Sequence, residues 1–261
     1  VAGPQSAGAA SSKTARARRL RRIALAAALT LCAMAGWAIY AFPAVAAAAC
    51  PHCYGMTRVA PDLIVDADTD QGAVAALGAM RDEARATTLA FFGAVGRTPV
   101  VVVCESQGCD RKLGGRGARA VTYSTPFATI IRVSPHGRDA TIFTHEFAHV
   151  ALHGRVGLRA LLRGAVPAWL DEGVAVVVSN DARYLRPGTK ADERCMSTTI
   201  RALPETAWDW APAAGRDPSI YADAACRVMR WMEAHGGRQG LLEMLDAVGA
   251  GRVSRIDDPR D

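Results

Sequence analysis

The chain has 261 residues, half of them apolar, which is enough for one well-buried domain plus an appendage and excludes a disordered chain. Its net charge of +6 comes from 31 basic against 25 acidic residues, and six of the basic ones (Lys13, Arg16, Arg18, Arg19, Arg21 and Arg22) precede residue 23 with no acidic residue among them. The remainder is formally neutral at 25 against 25, so no nucleic-acid partner is implied.

Residues 1–22, rich in Ala, Ser and Arg, read as a disordered basic tail. Ile23 to Phe42 is an uncharged run of twenty residues, the length that spans about 30 Å of hydrocarbon as a helix. The basic cluster before it predicts a cytoplasmic N-terminus, with everything after residue 43 across the membrane. That makes the chain a single-pass protein of the cytoplasmic membrane, its domain on the periplasmic or extracellular side. A cleaved signal peptide is the competing reading, because Ala46 to Ala49 offers small residues to a signal peptidase, and Ala47-Ala48-Ala49-Cys50 weakly resembles a lipoprotein site. Residues 43–56 read as a linker and 57–261 as the folded domain.

Within that domain Leu63-Ile64-Val65 reads as a short strand. Asp70 to about Phe92 carries apolar residues at helical spacing (Val74, Leu77, Met80, Ala84, Leu89) and ends near Gly93. Pro99 to Cys104 is a β-branched strand, Gly114 to Gly117 a loop without a phosphate-loop ending, and Ala120–Tyr123 with Phe127–Val133 a hairpin. Later helices are expected over Tyr221–His235 and Gln239–Val248. Six cysteines follow the apolar run (Cys50, Cys53, Cys104, Cys109, Cys195, Cys226), while Cys32 lies inside it. In a translocated domain they read as three disulfides; fifteen pairings are possible, and local ones (50 with 53, 104 with 109, 195 with 226) are the first expectation. A structural zinc held by the two close pairs is the alternative.

The segment between the hairpin and those helices carries the chemistry. His145-Glu146-Phe147-Ala148-His149 is an H-E-x-x-H sequence: on a helix, positions i and i+4 share a face, so both imidazoles can converge on one zinc ion while Glu146 reaches a water held there. Downstream, Pro167-Ala168-Trp169-Leu170-Asp171-Glu172-Gly173 opens a second helix-like run, and a carboxylate from it would complete a three-ligand site with one open position.

With these two motifs the chain resembles the gluzincin metallopeptidases, the thermolysin- and aminopeptidase-like clan, in its membrane-anchored bacterial form. The rival metzincin pattern would need Gly and His where this chain has Leu152 and Arg155. The resemblance implies one Zn²⁺ held by His145, His149 and Glu172, with Glu146 as general base and hydrolysis of peptide bonds in a peptide or protein substrate. It implies an α+β zincin-like fold: a small twisted sheet, an active-site helix and a mostly helical C-terminal half, preceded by one transmembrane helix. It places Val174–Val178 inside the Glu172 helix, makes Thr129–Val133 the sheet edge on which a substrate strand pairs, and offers Tyr221 as oxyanion donor. Where thermolysin-type enzymes have an Asp four residues beyond the glutamate ligand, this chain has Val176, so the partner that orients a ligand histidine is not identified.

Other residues have plainer readings. His153, one turn beyond His149, is expected to be a structural or rim histidine where the helix ends; His52, His136 and His235 are solvent or capping histidines. Asp171 is expected to be exposed or to orient a ligand, and Trp169, Trp208, Trp210 and Trp231 to be core residues. Two further function classes share the motif: a zinc amidase acting on a cell-wall or other non-protein amide, and a non-catalytic anchored protein with a structural zinc.

Overall fold

The computed structural model describes residues 7–94, 96–197, 201–254 and 256. A long helix α1 (Ala7–Ala41) leads into a short α2 (Pro43–Ala49) and a turn of 3₁₀ helix at Pro51–Tyr54. From Ala7 onward the expected disorder gives way to helix, since Ala and Arg are among the best helix formers. Within α1, Arg19–Ala41 is long and apolar enough to cross a membrane or to serve as a signal sequence.

The supposed linker is part of the domain. Ala44 and Ala47, one helical turn apart on α2, are fully buried against the sheet that follows. That sheet has five strands: β1 (Met56–Ala60), β2 (Leu63–Asp66), β3 (Val100–Val103), β4 (Ala120–Ser124) and β5 (Thr129–Val133), in the order β1-β2-β3-β5-β4. The β1–β2 and β4–β5 pairs are antiparallel and the two central pairs parallel. This order corrects one expectation. Thr129–Val133 lies between β3 and β4, so the edge beside the helix that carries His145 and His149 is β4, not β5. Four of β5's five residues are buried, including Arg132, which pairs with Asp110 of α4 (Gln107–Lys112); an interior strand is covered on both faces.

Alternation along the strands divides the core. Leu63, Val65, Val101, Val103, Ile131 and Val133 face α3 (Gln71–Phe92) and α5 (Ala140–Val156), meeting Leu77, Phe143 and Phe147. Ile64, Val102 and Ile130 face the other way, against Ala44, Ala47 and Leu113. Thus α2 and α5 lie on opposite faces of one sheet. Asp70 caps α3 by accepting from the Ala73 amide, and Gly93 ends it in the left-handed conformation that suits glycine.

The C-terminal half is helical: α6 (Leu158–Leu162), α7 (Ala168–Ser179), α8 (Ala191–Arg194), α9 (Ala207–Arg216), α10 (Ile220–Ala234) and α11 (Gly237–Gly249). A second core joins Ala148 and Leu152 of α5 to Trp169 and Val174 of α7, Ala224 and Val228 of α10 and Leu245 of α11. Gly173 makes this packing possible, because a Cβ there would stand 2.6 Å from the Ala224 carbonyl oxygen and 2.7 Å from Val228 Cγ2. Three cysteine pairs stand at disulfide spacing, with Cα separations of 5.4 Å (Cys50, Cys53), 5.5 Å (Cys104, Cys109) and 5.2 Å (Cys195, Cys226), the local pairing expected. Trp208 departs from its core assignment at 89% exposed; two helical positions from buried Trp210, it points to the opposite side of α9.

Candidate metal centre

Helix α5 starts at Asp139, whose carboxylate accepts from the Ile142 amide (2.9 Å), and runs to Gly157, which turns the chain at φ 77°. His153 therefore lies in the last turn of the helix, where it was expected. His145, Glu146 and His149 are all buried, between the sheet and α7. Pro167 precedes the first turn of α7, which carries Glu172 alongside the two histidines.

The three expected ligand atoms converge. His145 Nε2 and His149 Nε2 are 3.2 Å apart, and Glu172 Oε2 is 3.3 Å from the first and 3.7 Å from the second. Tetrahedral zinc with bonds of about 2.0–2.1 Å sets neighbouring ligand atoms about 3.3 Å apart. The triangle therefore fits a metal ion of that size, and its two nitrogens and one carboxylate oxygen are the donor set zinc accepts. A second group, His149, His153 and Asp171, is also close enough to be considered. Its spacings differ in kind: Asp171 Oδ1 is 2.8 Å from His149 Nδ1 and Asp171 Oδ2 is 2.9 Å from His153 Nε2. Those are hydrogen-bond lengths, so Asp171 bridges the two histidine rings.

Asp171, expected to be exposed or to orient a ligand, is half-buried here and holds the His149 ring through its Nδ1. His153, expected to be a structural or rim residue, shares the same carboxylate and meets Ser124 Oγ through its Nδ1 at 2.8 Å. By contrast, His145 Nδ1 is buried without a hydrogen-bond partner.

Charge follows this geometry. Burial would raise the Asp171 carboxyl, but His149 and His153 overcome it and hold the group far below the usual carboxylate range. Burial is likewise overcome at Glu172, where hydrogen bonds from His145 and His149 bring it down to about 2. His149 is pushed well above its ordinary 6.5: burial opposes this, and Asp171 and then Glu172 outweigh it. The site is therefore an anion-rich pocket whose histidines attract a positive charge, from protons or from a metal.

Glu146 does not join the triangle. Its Oε2 accepts from Thr122 Oγ1 of β4 at 2.7 Å, and Ser124, two residues along and on the same face of that strand, meets His153. Tyr221, on the first turn of α10, stands beside the centre with its ring 6.3 Å from that of His145. It is stacked on Tyr184 (5.1 Å) and edge-on to Trp210 (5.3 Å). Burial, then the negative charge of Glu172, pushes the Tyr221 hydroxyl above its ordinary range, so it keeps its proton at neutral pH. The structure thus gathers all five predicted residues in one place. Thr122, Ser124 and Tyr184 were not singled out by sequence, since single polar residues in a strand or loop carry no spacing signal. Comparison with known protein families, known proteins and solved structures finds no match for this chain.

Proposed function

We propose that this chain is a zinc-dependent hydrolase of peptide bonds, a zincin-like enzyme of the gluzincin type whose domain is exported and held to the cytoplasmic membrane by the apolar part of α1. The observation that carries this reading is the triangle of His145 Nε2, His149 Nε2 and Glu172 Oε2 at 3.2–3.7 Å, with a carboxylate beside it that belongs to none of the three corners. A purely structural metal site has no use for such a carboxylate, and three protein ligands would be the pattern of a catalytic rather than a structural zinc.

In this reading His145, His149 and Glu172 hold one Zn²⁺. Zinc, when bound, lowers the pKa of a water toward 7 and polarises a carbonyl. Glu146 takes the proton of the attacking water and returns it to the leaving amine. Thr122 occupies Oε2, leaving Oε1 as the oxygen that moves the proton. The Tyr221 hydroxyl, held protonated beside Glu172, donates to the developing oxyanion. An extended substrate adds to the sheet at its edge strand β4, whose Thr122 and Ser124 side chains are fixed to α5. The substrate's scissile bond is then set in register with Glu146.

Metal analysis of the membrane-extracted full chain tests the reading. One zinc per wild-type chain is expected, and Glu172→Ala should lose it, because removing one of three ligands costs orders of magnitude in affinity. Stoichiometric, tightly held zinc in Glu172→Ala removes Glu172 from the site.

A further inference from the structure

Beyond the ligands and the base lies a chain of hydrogen bonds running from the edge strand to the metal centre. Ser124 Oγ meets His153 Nδ1 (2.8 Å), His153 Nε2 meets Asp171 Oδ2 (2.9 Å), and Asp171 Oδ1 meets His149 Nδ1 (2.8 Å). We propose that His153 and Ser124 are positioning residues for the metal centre, acting through Asp171 to hold His149 with Nε2 turned toward the other two ligands. The inference rests on the zinc reading above.

The chemistry fixes most of the chain. Asp171 Oδ1 and Oδ2 each face a ring nitrogen at 2.8 and 2.9 Å, and a carboxylate oxygen accepts, so each histidine nitrogen facing Asp171 carries the hydrogen. In a neutral His149 ring the hydrogen on Nδ1 leaves the lone pair on Nε2, the atom at the corner of the ligand triangle. The same logic puts the hydrogen of a neutral His153 on Nε2, so its Nδ1 accepts from the Ser124 hydroxyl. Asp171 alone could rotate about its side chain. A second donor on Oδ2 pins the carboxylate plane, and Ser124 pins the ring of that donor to the sheet. Outer partners of this kind commonly change metal affinity by 10- to 100-fold.

Two other uses of the same residues fit less well. As a second metal site, His149, His153 and Asp171 are spaced at hydrogen-bond rather than ligand–ligand lengths. As a nucleophile, base and orienter, Ser124, His153 and Asp171 have the right order, yet half of the carboxylate is engaged by His149.

The test is zinc affinity of the full chain, measured by chelator competition, with hydrolysis of a peptide library in parallel. Asp171→Asn should weaken zinc about 10- to 100-fold, His153→Phe about tenfold, and Ser124→Ala a few-fold. His153→Gln, whose amide can still donate to Asp171, should recover most of the loss even if the phenylalanine variant folds poorly. Combining Asp171→Asn with His153→Phe should be no worse than Asp171→Asn alone, because both act along one path. Equal zinc affinity in wild type, His153→Phe and Ser124→Ala overturns the proposal, as do equally weakened Phe and Gln variants, which would mark a packing role. Loss of hydrolysis in Ser124→Ala with zinc affinity unchanged overturns it in favour of a nucleophilic serine. Wild-type protein that binds no zinc fails the underlying reading instead, and is recognised before any variant is measured.

Discussion

The Thr122 hydroxyl of the edge strand β4 donates to Glu146 Oε2 of helix α5 across 2.7 Å. One carboxylate oxygen is thereby fixed to the sheet, and in the proposed mechanism this leaves the other free to take the water's proton. Thr122→Val keeps the β-branched shape and removes the donor. It is expected to lower kcat about tenfold or more with KM little changed, since a misaligned base affects the transition state and leaves ground-state binding alone. Thr122→Ser should restore most of the rate. Steady-state kinetics of the two variants checks this, and a valine variant with wild-type kcat would show that Glu146 needs no such support.

The charges of the site give the metal-stripped and metal-loaded proteins opposite responses to pH. Without metal, Glu172 is lowered from its ordinary 4.5 to about 2, so its stabilising contribution is present above 4.5 and lost as pH falls through the lowered value. His149 is raised above 6.5, so its contribution is complete below 6.5 and lost as pH rises through the raised value. The stripped site therefore stabilises most between about 4.5 and 6.5. Zinc needs the histidines unprotonated, so its contribution grows with pH over the neutral range. Thermal unfolding of chelator-treated and zinc-loaded protein above pH 6.5 should show the site's contribution falling in the first and rising in the second. Parallel slopes would contradict the assignment of His149 as a ligand.

In the proposed membrane-anchored form, helix α2 stays attached to α1. The small residues Ala46 to Ala49, which suit a signal peptidase, are helical, and Ala44 and Ala47 are buried against Ile64, Val102 and Ile130. Peptidases cut exposed, locally unfolded backbone, and a cut here would strip one face of the sheet. Exported protein should therefore stay with the membrane and keep residues 23–42, as its intact mass would show. A soluble form that starts between residues 47 and 50 would contradict this.

How far the sequence reveals such a fold depends on the kind of signal each element carries. Helix α3 is legible because an apolar stripe and an Asp cap mark it at once; α5, buried on every position from Ile142 to Leu152, is marked by its histidine spacing instead. Helix α2 is not, because Pro-Ala-Val-Ala-Ala-Ala-Ala has no polar face to contrast with its buried one. Strand order is a long-range property. The buried Ile130-Ile131-Arg132-Val133 run is nonetheless the local mark of an interior strand, and reading it would have moved the edge to β4. At the site, the two histidines and Glu146 follow from spacing alone. Asp171 was hard to place because its direction on α7 is set by where α5 passes: one position before Glu172, it meets the next turn of His149 and His153.

The proposed mechanism turns on Glu146, and the most direct measurement is hydrolysis of a peptide library by Glu146→Gln beside wild type, with zinc content determined on the same samples. Glutamine keeps the shape and cannot accept the water's proton. The expected result is one zinc per chain in both proteins and a rate lowered about 10² to 10⁴-fold or more in the variant. A Glu146→Gln protein that holds zinc and cleaves peptides at the wild-type rate would contradict the proposed mechanism outright.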